Sequence, residues 1–207
     1  MEALSLKKGI SEQENIEDII EELSLVEKAS WDDCMQAQKE QLRRRLNIFS
    51  DGLYRLFDNI EQRTVAFFYF IKVKESFVKD SKTWDDITGN GSGDTYDPEG
   101  DAIFGITLGS SSSGKGRILL EKGLESIRSD EKLKNIKRIY LCGRIPSLHK
   151  YYNKDTSLDQ IDKEKVYKDP TISLFRNVGF HVYEVVKDGY DVDDYSLGFS
   201  ALLEQDI

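Results

Sequence analysis

The residues best suited to bind a charged ligand lie in one turn near the middle of the chain. The stretch 102–127 reads AIFGITLGSSSSGKGRILLEKGLESI. Residues 105–108 predict a short buried strand, and Ile118, Leu119 and Leu124 recur at helical spacing. A serine- and glycine-rich turn that opens a helix directs backbone N–H groups and the positive end of the helix dipole to one place. Ser110 to Gly116, with seven backbone N–H groups, therefore predict a site for phosphate or pyrophosphate.

The same turn also resembles the P-loop of nucleotide triphosphatases. Gly109 to Lys115 match the pattern G-x-x-x-x-G-K. In a P-loop a serine or threonine follows the lysine and binds magnesium, whereas this chain has Gly116 there. Neither the strand 139–142 nor the strand of Val182 ends in an aspartate that would hold the same ion. We therefore regard a P-loop nucleotide-binding protein as the weaker interpretation.

Hydrophobic periodicity predicts one α/β domain over residues 1–207, without internal repeats or a domain linker. Ser11 and Glu14 fit a capping box, which predicts the start of the first helix. Residues 75–101 and 145–168 predict two long loops, and Gly189 to Asp191 begin the final turn. Further helices are predicted at 37–48, after the serine-rich turn and at 171–178, and strands at 4–7, 53–57, 64–73, 105–108, 138–143, 181–186 and 196–203.

The composition restricts the class of partner and the compartment. Of 207 residues, 39% are hydrophobic, which predicts a folded chain, and the net charge of -9 argues against general nucleic-acid binding. No apolar segment is long enough for a membrane span, and the acidic N-terminus is unlike a signal peptide, so we expect a cytoplasmic protein. Arg43, Arg44 and Arg45 form a basic cluster that we expect on the surface.

Neither a metal site nor a disulfide is predicted. Cys34 and Cys142 lie far apart in sequence and lack metal-ligand spacing. The acidic residues of 94–101 lack the order of an EF-hand loop, so no bound metal is expected. Cys142 lies at the end of a predicted strand, where a nucleophile could stand, but a buried cysteine acting as a small apolar residue is the favoured interpretation.

The order of elements resembles the GNAT superfamily of N-acetyltransferases over nearly the whole chain. Ser111 to Gly116 resemble a variant of its Q/R-x-x-G-x-G/A turn. More specific motifs are GRIP at 143–146 followed by HKY at 149–151, and DPTIS at 169–173 followed by NVGF at 177–180. These motifs are similar to a bacterial branch whose members sometimes accompany nitrilase-like amidohydrolases. The resemblance implies a mixed, mostly antiparallel central sheet flanked by helices, with a V-shaped splay at the cofactor site.

The resemblance also implies acetyl-CoA or another acyl-CoA as co-substrate, with its pyrophosphate on the turn. Two positions depart from the family pattern. Ser111 stands where Gln or Arg is usual, and Phe175 stands where many members have the tyrosine that protonates the leaving thiolate. The residues expected to bind the cofactor are Leu108, Gly109, Ser111, Ser112, Ser113, Gly114, Lys115, Gly116 and Arg117.

Direct acyl transfer to an amine needs a base, and His149 is the candidate because the other histidine, His181, falls within a late strand. A structural or merely exposed role for His149 is the alternative. Thr107, Tyr151 and Tyr152 are expected to line the acceptor pocket. Trp31 and Trp84 are expected to be core or lid anchors.

The function expected from these features is acyl-CoA-dependent N-acylation of a small-molecule or peptide amine, with no nucleic-acid or membrane partner. The missing tyrosine leaves two alternatives open, an acyl-CoA hydrolase or decarboxylase and a non-catalytic acyl-CoA sensor. A homodimer is also left open. The sequence does not identify the acceptor amine or the acyl chain length.

Overall fold

A single sheet forms the centre of the computed structural model, which describes residues 3–189 and 193–207. Within those residues the sheet has seven strands in the order β1-β2-β3-β4-β5-β7-β6. Every neighbouring pair is antiparallel except β4 and β5, which are parallel and are joined through helix α5. The strands are β1 (Leu4–Lys8), β2 (Leu53–Asp58), β3 (Arg63–Val73), β4 (Ala102–Ser110), β5 (Arg138–Arg144), β6 (His181–Val186) and β7 (Ser200–Asp206).

Helices cover both faces of the sheet. The α-helices are α1 (Ile16–Ser30), α2 (Lys39–Phe49), α3 (Glu75–Ser81), α4 (Trp84–Thr88), α5 (Lys115–Arg128), α6 (Lys163–Tyr167) and α7 (Pro170–Asn177). Short 3₁₀ turns lie at Asp33–Met35, Ser50–Gly52, Glu131–Leu133, Pro146–Lys150 and Leu158–Gln160. Helices α1 to α4 pack on one face, and α5 and α7 pack on the other.

Strand β3 explains how one sheet carries two cores. Phe67, Tyr69 and Ile71 belong to the core under α1 and α2, whereas Phe68 and Phe70 belong to the core under α5 and α7. Successive side chains of a strand point to opposite faces, so an almost continuous apolar strand fills both layers. Full burial of one such aromatic side chain is worth about 1.5–3 kcal/mol.

Strands β4 and β5 separate after a short paired segment. Their ladder pairs Ala102–Gly105 with Arg138–Leu141 and ends there, and beyond it, within the described residues, β4 pairs only with β3 and β5 only with β7. β4 also carries a bulge, because Tyr69 faces Thr107 while Phe70 faces Gly105, which leaves Ile106 as the extra residue. The result is the V-shaped opening in a mostly antiparallel sheet that the resemblance to the GNAT superfamily implies, and this expectation of the fold is confirmed.

The first helix begins later than the capping box predicts. Ser11 donates through its backbone N–H and its hydroxyl to the Glu14 carboxylate, but these bonds close a separate turn. Asn15 is the N-cap of α1, since its side chain accepts a hydrogen bond from the Glu17 N–H. The Glu14 carboxylate also bonds the buried Arg55 guanidinium, which ties the turn to β2.

The two segments predicted as long loops contain helices. Residues 75–101 include α3 and α4, and residues 145–168 include α6 and two 3₁₀ turns. The last strand begins at Ser200 rather than at 196, because the Asp193 side chain accepts hydrogen bonds from the N–H groups of Tyr195 and Ser196 and closes a turn there. Of the predicted final turn, Tyr190 and Asp191 lie outside the described residues.

The arginine cluster divides between surface and core. Arg43 and Arg44 are on the surface as predicted and pair with Glu17 and Asp94. Arg45 is only 2% exposed, which corrects the prediction for this residue. Arg45 lies three positions after Leu42 on the buried face of α2, and its Nε donates to the carbonyl of Gly91 in the segment after α4.

No helix in the described part of the chain is long and apolar enough to cross a membrane. Among residues 3–189 and 193–207, no group of three or more His, Cys, Asp and Glu side chains is placed to hold a metal ion.

Candidate functional site

The serine-rich turn between β4 and α5 is anchored through some of its own N–H groups. Ser110 donates its N–H to the Ser30 hydroxyl at 2.6 Å, and Ser111 donates its N–H to the Val65 carbonyl at 2.9 Å. The Lys115 N–H donates back into the turn at 3.4 Å. These bonds fix the turn against α1 and β3, and they reduce the number of donors below the seven that the sequence offers.

Four backbone N–H groups remain at the start of α5. Within residues 3–189 and 193–207, no hydrogen bond uses the N–H of Ser112, Ser113, Gly114 or Gly116. Gly114 precedes the first helical residue with a φ of +79°, a conformation that suits glycine. A Cβ atom at Gly114 would meet nothing within 4 Å, so the space beside it is open to a ligand. The geometry therefore fits an anion at the N-terminus of a 14-residue helix.

A first cavity, the splay cavity, occupies the opening between β4 and β5 and has a volume of about 130 Å³. It begins beside the turn, since a Cβ atom on Gly116 would lie 4.0 Å from the Leu108 side chain that lines it. Its walls are mostly apolar. The lining residues are Trp31, Phe68, Gly105, Ile106, Thr107, Leu108, Leu141, Cys142, Gly143, Arg144, Thr171, Leu174 and Phe175.

A second cavity, the helix cavity, lies on the opposite face of the sheet beneath α1, α2 and α4. Its volume is about 230 Å³. It shares three lining residues with the splay cavity, and these are Trp31, Ile106 and Thr107. The other lining residues are Glu27, Cys34, Met35, Gln36, Ala37, Gln41, Arg45, Trp84, Asp85 and Asn90. The two cavities therefore meet at the bulge of β4.

A buried carboxylate lies at this meeting point. Glu27 is 2% exposed, and its carboxylate accepts hydrogen bonds from the Ala37 N–H at 2.9 Å and the Thr107 hydroxyl at 3.2 Å. Burial raises the pKa of the Glu27 carboxyl, and the Ala37 N–H, the Arg45 charge and the Thr107 hydroxyl offset only part of the effect. A carboxylate with a raised pKa is a stronger base than an exposed one.

Two tryptophans hold the bulge and its surroundings. The indole N–H of Trp84 donates to the Ile106 carbonyl at 2.9 Å, which fixes the extra residue of β4. The Trp31 ring centroid lies 5.5 Å from the guanidinium carbon of Arg144. Arg144 in turn donates two hydrogen bonds, at 2.6 and 2.8 Å, to the fully buried carboxylate of Asp193. The rim of the splay cavity is thereby tied to the segment that precedes β7.

Comparisons with known proteins agree with this architecture. The loading GNATL domain of CurA from Lyngbya majuscula superposes with a TM-score of 0.75 at 16% identity, covering 98% of this chain and 97% of that one. A GNAT-like decarboxylase, GphF, solved in complex with isobutyryl-CoA, gives 0.74 at 15% identity, covering 98% of both chains. The ribosomal-protein-S18-alanine N-acetyltransferase of Escherichia coli gives 0.58 at 11% identity, covering 99% of this chain and 94% of that one. The chain has the GNAT fold.

Similarity to known proteins is weaker in sequence than in fold. No protein-family model matches the chain. The probable hydrolase YhcX of Bacillus subtilis is 27% identical over 128 residues, which are 60% of this chain and 25% of that protein. The chain thus matches about a quarter of the length of this curated relative.

The residues predicted for the cofactor site lie at the end of β4, in the serine-rich turn and at the start of α5. Leu108 lines the splay cavity, and Gly109 packs against α1, where a Cβ atom would lie 3.2 Å from Ser30 and Val26 atoms. The Ser111 hydroxyl donates to the Val65 carbonyl and is turned toward β3. Ser112, Ser113, Gly114, Lys115 and Gly116 form the start of α5, and Arg117 pairs with Glu121 at 2.8 Å.

Of the predicted catalytic and substrate residues, the structure brings only Thr107 to the cavities. His149 is exposed on the 3₁₀ turn Pro146–Lys150, with its Nδ1 2.5 Å from the Pro146 carbonyl oxygen and its ring against Tyr195. That turn buries Leu148 and directs His149 outward. Tyr151 is 52% exposed, and the Tyr152 hydroxyl accepts a hydrogen bond from the Asp162 N–H. None of these three predicted residues lines either cavity.

Glu27 is not among the residues predicted for the site, although the sequence carries a signal for it. Glu27 follows Leu23 by four positions and Ile20 by seven, so it lies on the apolar stripe of α1. A carboxylate on a buried helix face is uncommon and indicates a specific partner or role. Trp31 and Trp84, expected as core or lid anchors, line the helix cavity.

Cys142 lines the splay cavity but is not activated as a nucleophile. Burial raises the pKa of its thiol to about 12. Because the thiolate is the nucleophilic form, a thiol with this pKa is inert at neutral pH. The favoured interpretation of Cys142 as a small buried residue fits this environment.

Proposed function

We propose that this protein is an acyl-CoA-dependent N-acyltransferase that transfers the acyl group directly to an amine. The observation that carries the proposal is the meeting of two cavities at Thr107, one lying beside the turn with unused N–H groups and the other lined by the buried carboxylate of Glu27. Direct transfer needs this arrangement, since the thioester and the amine must reach each other from separate sites.

The donor side fits an acyl-CoA. Its pyrophosphate would accept hydrogen bonds from the unused N–H groups at the start of α5, with the charge of Lys115 nearby. The pantetheine arm would extend past Leu108 into the splay cavity, and the thioester would reach Ile106 and Thr107. The GNAT-fold protein GphF was solved with isobutyryl-CoA and the NatB complex with CoA, which supports the same class of donor.

The acceptor side fits a small or terminal amine. The helix cavity combines the tryptophan walls of Trp31 and Trp84 with two carboxylates, Glu27 and Asp85, and one guanidinium, Arg45. The carboxylates outnumber the guanidinium, which favours a group that carries a single positive charge or an amine nitrogen. GNAT-fold neighbours include a spermidine N-acetyltransferase and a NatC complex bound to a peptide, which supports an amine acceptor. A volume of about 230 Å³ suits a compact molecule or the first residue of a peptide.

In the proposed reaction the amine nitrogen attacks the thioester carbonyl carbon. The attacking nitrogen is that of the neutral amine, the N–C bond forms, the C–S bond breaks, and the nitrogen transfers one proton to the Glu27 carboxylate. Sulfur leaves as the thiolate and takes up one proton while Glu27 releases one, so the products are an amide and the free thiol of coenzyme A and the carboxylate is restored. Both substrates are held at one junction, which lowers the entropic part of the barrier.

Two measurements test this function. A thermal shift with acetyl-CoA, longer acyl-CoAs and magnesium ATP identifies the ligand class, because a ligand that binds only the native state raises its stability. A thiol-release assay with a panel of polyamines, amino acids and short peptides then tests transfer. We expect stabilisation by acyl-CoA and thiol release only when an amine is present.

Glu27→Gln provides the residue-level test. We expect the thermal shift with acetyl-CoA to be kept and amine-dependent thiol release to fall by roughly 10²-fold or more, the usual effect of removing a general base. Glu22→Gln, on the same helix but outside both cavities, is the matched control. Stabilisation by magnesium ATP but by no coenzyme A ester would contradict the proposal, and binding without turnover would favour an acyl-CoA sensor.

A second candidate is decarboxylation of a carboxylated acyl-CoA. Phe175 removes the usual proton donor of amine transfer, and the TM-score to the decarboxylase GphF, 0.74, exceeds the 0.53 to 0.59 of the acetyltransferase neighbours. In this reaction the bond between Cα and the carboxylate breaks, carbon dioxide leaves, and the enolate takes up a proton. Malonyl-CoA incubated without amine would then give acetyl-CoA, whereas an N-acyltransferase would leave it unchanged.

A further inference from the structure

The replacement of the usual tyrosine leaves the departing thiolate without an obvious proton source. Phe175 lines the splay cavity, is 7% exposed and packs against Phe180 with ring centroids 6.1 Å apart. It has no exchangeable proton. A thiolate is a better leaving group when a nearby acid protonates it as the C–S bond breaks.

Five side chains of the splay cavity carry a polar proton, namely those of Trp31, Thr107, Cys142, Arg144 and Thr171. Arg144 is held by the Asp193 carboxylate, and a guanidinium does not release its proton in proteins. The Cys142 thiol donates away from the opening, to the Lys82 carbonyl before α4. Within the described chain, no hydrogen bond joins the Thr171 hydroxyl or the Trp31 indole to a carboxylate.

Thr107 differs from the others in both contact and position. Its hydroxyl donates to the Glu27 carboxylate at 3.2 Å, and it lines the splay cavity and the helix cavity together. Its place opposite Tyr69, directly after the bulge residue Ile106, fixes the side chain at the junction. The Thr107 hydroxyl contacts the proposed base, and Thr107 also lines the cavity proposed for the thioester, so this hydroxyl could pass a proton between the two.

We propose that Thr107 is a catalytic residue that relays the proton from Glu27 to the leaving sulfur, in the role of the missing tyrosine; this inference rests on the N-acyltransferase function proposed above. The amine nitrogen gives its proton to Glu27 as the N–C bond forms. As the C–S bond breaks, the Thr107 hydroxyl proton moves to sulfur and the Glu27 proton moves to the Thr107 oxygen. Glu27 returns to the carboxylate form and Thr107 to the hydroxyl, so the cycle is balanced without another reactant.

Thr107→Val and Thr107→Ser separate a relay from a structural role. Valine has the shape of threonine without the hydroxyl, and serine restores the hydroxyl. We expect kcat of Thr107→Val to fall by roughly 10²-fold, the range of general acid catalysis, and Thr107→Ser to recover most of it. An unchanged thermal shift with acetyl-CoA shows that the variant is folded and binds the donor.

The dependence of kcat on pH is a second measurement, and a loss of side-chain packing at Thr107 alone would not change it. In Thr107→Val the thiolate must take its proton from solvent or buffer, so kcat should fall as pH rises and should increase with the concentration of imidazolium buffer. The wild type should show neither effect. Thr64→Val is the matched control, because the buried Thr64 hydroxyl also bonds a glutamate of α1, Glu22, away from both cavities.

The outcomes distinguish the two proposals. Amine-dependent thiol release by the wild type, together with an equal kcat and pH profile in Thr107→Val, overturns the relay and leaves the N-acyltransferase function intact. Absence of amine-dependent release from the wild type overturns the function and the relay with it. A loss of kcat in Thr107→Val that buffer acid restores supports both.

Discussion

At the scale of single residues, the buried carboxylate of Glu27 makes the stability of the folded protein depend on pH. Its carboxylate is surrounded by protein rather than water, and burial raises its pKa above the ordinary value of 4.5. A group with a raised pKa in the folded state binds its proton more tightly there than in the unfolded chain. The folded protein therefore loses stability as pH rises from the unfolded pKa through the folded one.

We predict that Glu27→Gln removes this dependence. As pH rises above the ordinary carboxyl pKa of 4.5, the unfolding free energy of the wild type should contain a declining contribution from Glu27 that the variant lacks. Urea unfolding at several pH values, with Glu22→Gln as the control, measures the difference. Identical pH dependence in wild type and Glu27→Gln would show that the Glu27 carboxyl is not perturbed.

Glu14 behaves in the opposite sense. Burial alone would raise its pKa, but the Ser11 N–H and the Arg55 guanidinium outweigh burial and lower the pKa to about 2. A carboxyl with a depressed folded pKa stabilises the protein above its unfolded pKa, and that contribution is lost as pH falls toward 2.

We predict that Glu14→Gln destabilises the protein by about 2 kcal/mol at neutral pH, because it removes the charge partner of a buried arginine. Arg55 is 1% exposed, so water cannot replace the carboxylate. The loss should shrink as pH falls below the unfolded pKa and disappear only below about pH 2, where the wild-type carboxyl becomes protonated in the folded state as well. Denaturant midpoints at neutral and acid pH test both statements, and an equal loss at both would contradict them.

The signals that the sequence carries differ from residue to residue. Thr107 was predicted from its strand position, and the structure brings it to both cavities. The prediction of His149 rests on the presence of only two histidines in the chain, which carries no geometric information, and the 3₁₀ turn of His149 directs it outward. Glu27 was hidden because a run of acidic residues on α1 suggested one solvated face, while the helical period places Glu27 on the other face.

At the scale of elements, strand β4 sets the size of the opening. Gly105 is its last residue paired with β5, and a Cβ atom there would overlap the Leu141 side chain and lie 2.8 Å from a Phe68 ring atom. The absence of a side chain lets the two strands pack closely before they separate. The splay cavity begins at this point.

We predict that Gly105→Ala destabilises the protein by about 1–3 kcal/mol, the usual cost of overpacking, and narrows the splay cavity. The thermal shift with acetyl-CoA should therefore decrease. Gly123→Ala on α5, where the nearest atom to a new Cβ is 3.8 Å away, is the matched control and should keep the shift. Equal effects of the two substitutions on acetyl-CoA binding would contradict the role of Gly105.

The type of each long helix or strand, which follows from the spacing of its apolar residues, was the most predictable feature of the chain. The alternation of β3 and the stripe of α1 follow from side-chain geometry alone, so their types agree with the structure. The boundaries depend on competing hydrogen bonds. Asn15 caps α1 in place of Ser11, and Asp193 closes a turn where a strand was predicted. The helices within 75–101 are too short for periodicity to reveal.

At the scale of the whole molecule, helices and cavities divide between the two faces of the sheet. α1, α2 and α4 border the helix cavity, whereas α7 borders the splay cavity. Sequence patterns identify which residues are buried but not which buried residues from distant segments meet. The junction of Glu27 with Thr107 joins residues 80 positions apart and could not be inferred from spacing.

Because the cavities open on opposite faces, neither substrate blocks the path of the other. The steady-state kinetics should therefore be those of a ternary complex, with intersecting rather than parallel lines in double-reciprocal plots. Free coenzyme A should compete with acyl-CoA and not with the amine. Parallel lines would indicate a covalent acyl-enzyme, which the protonated state of Cys142 argues against. The acyl donor and the amine would then bind and dissociate independently of each other, and they would meet at the bulge of β4.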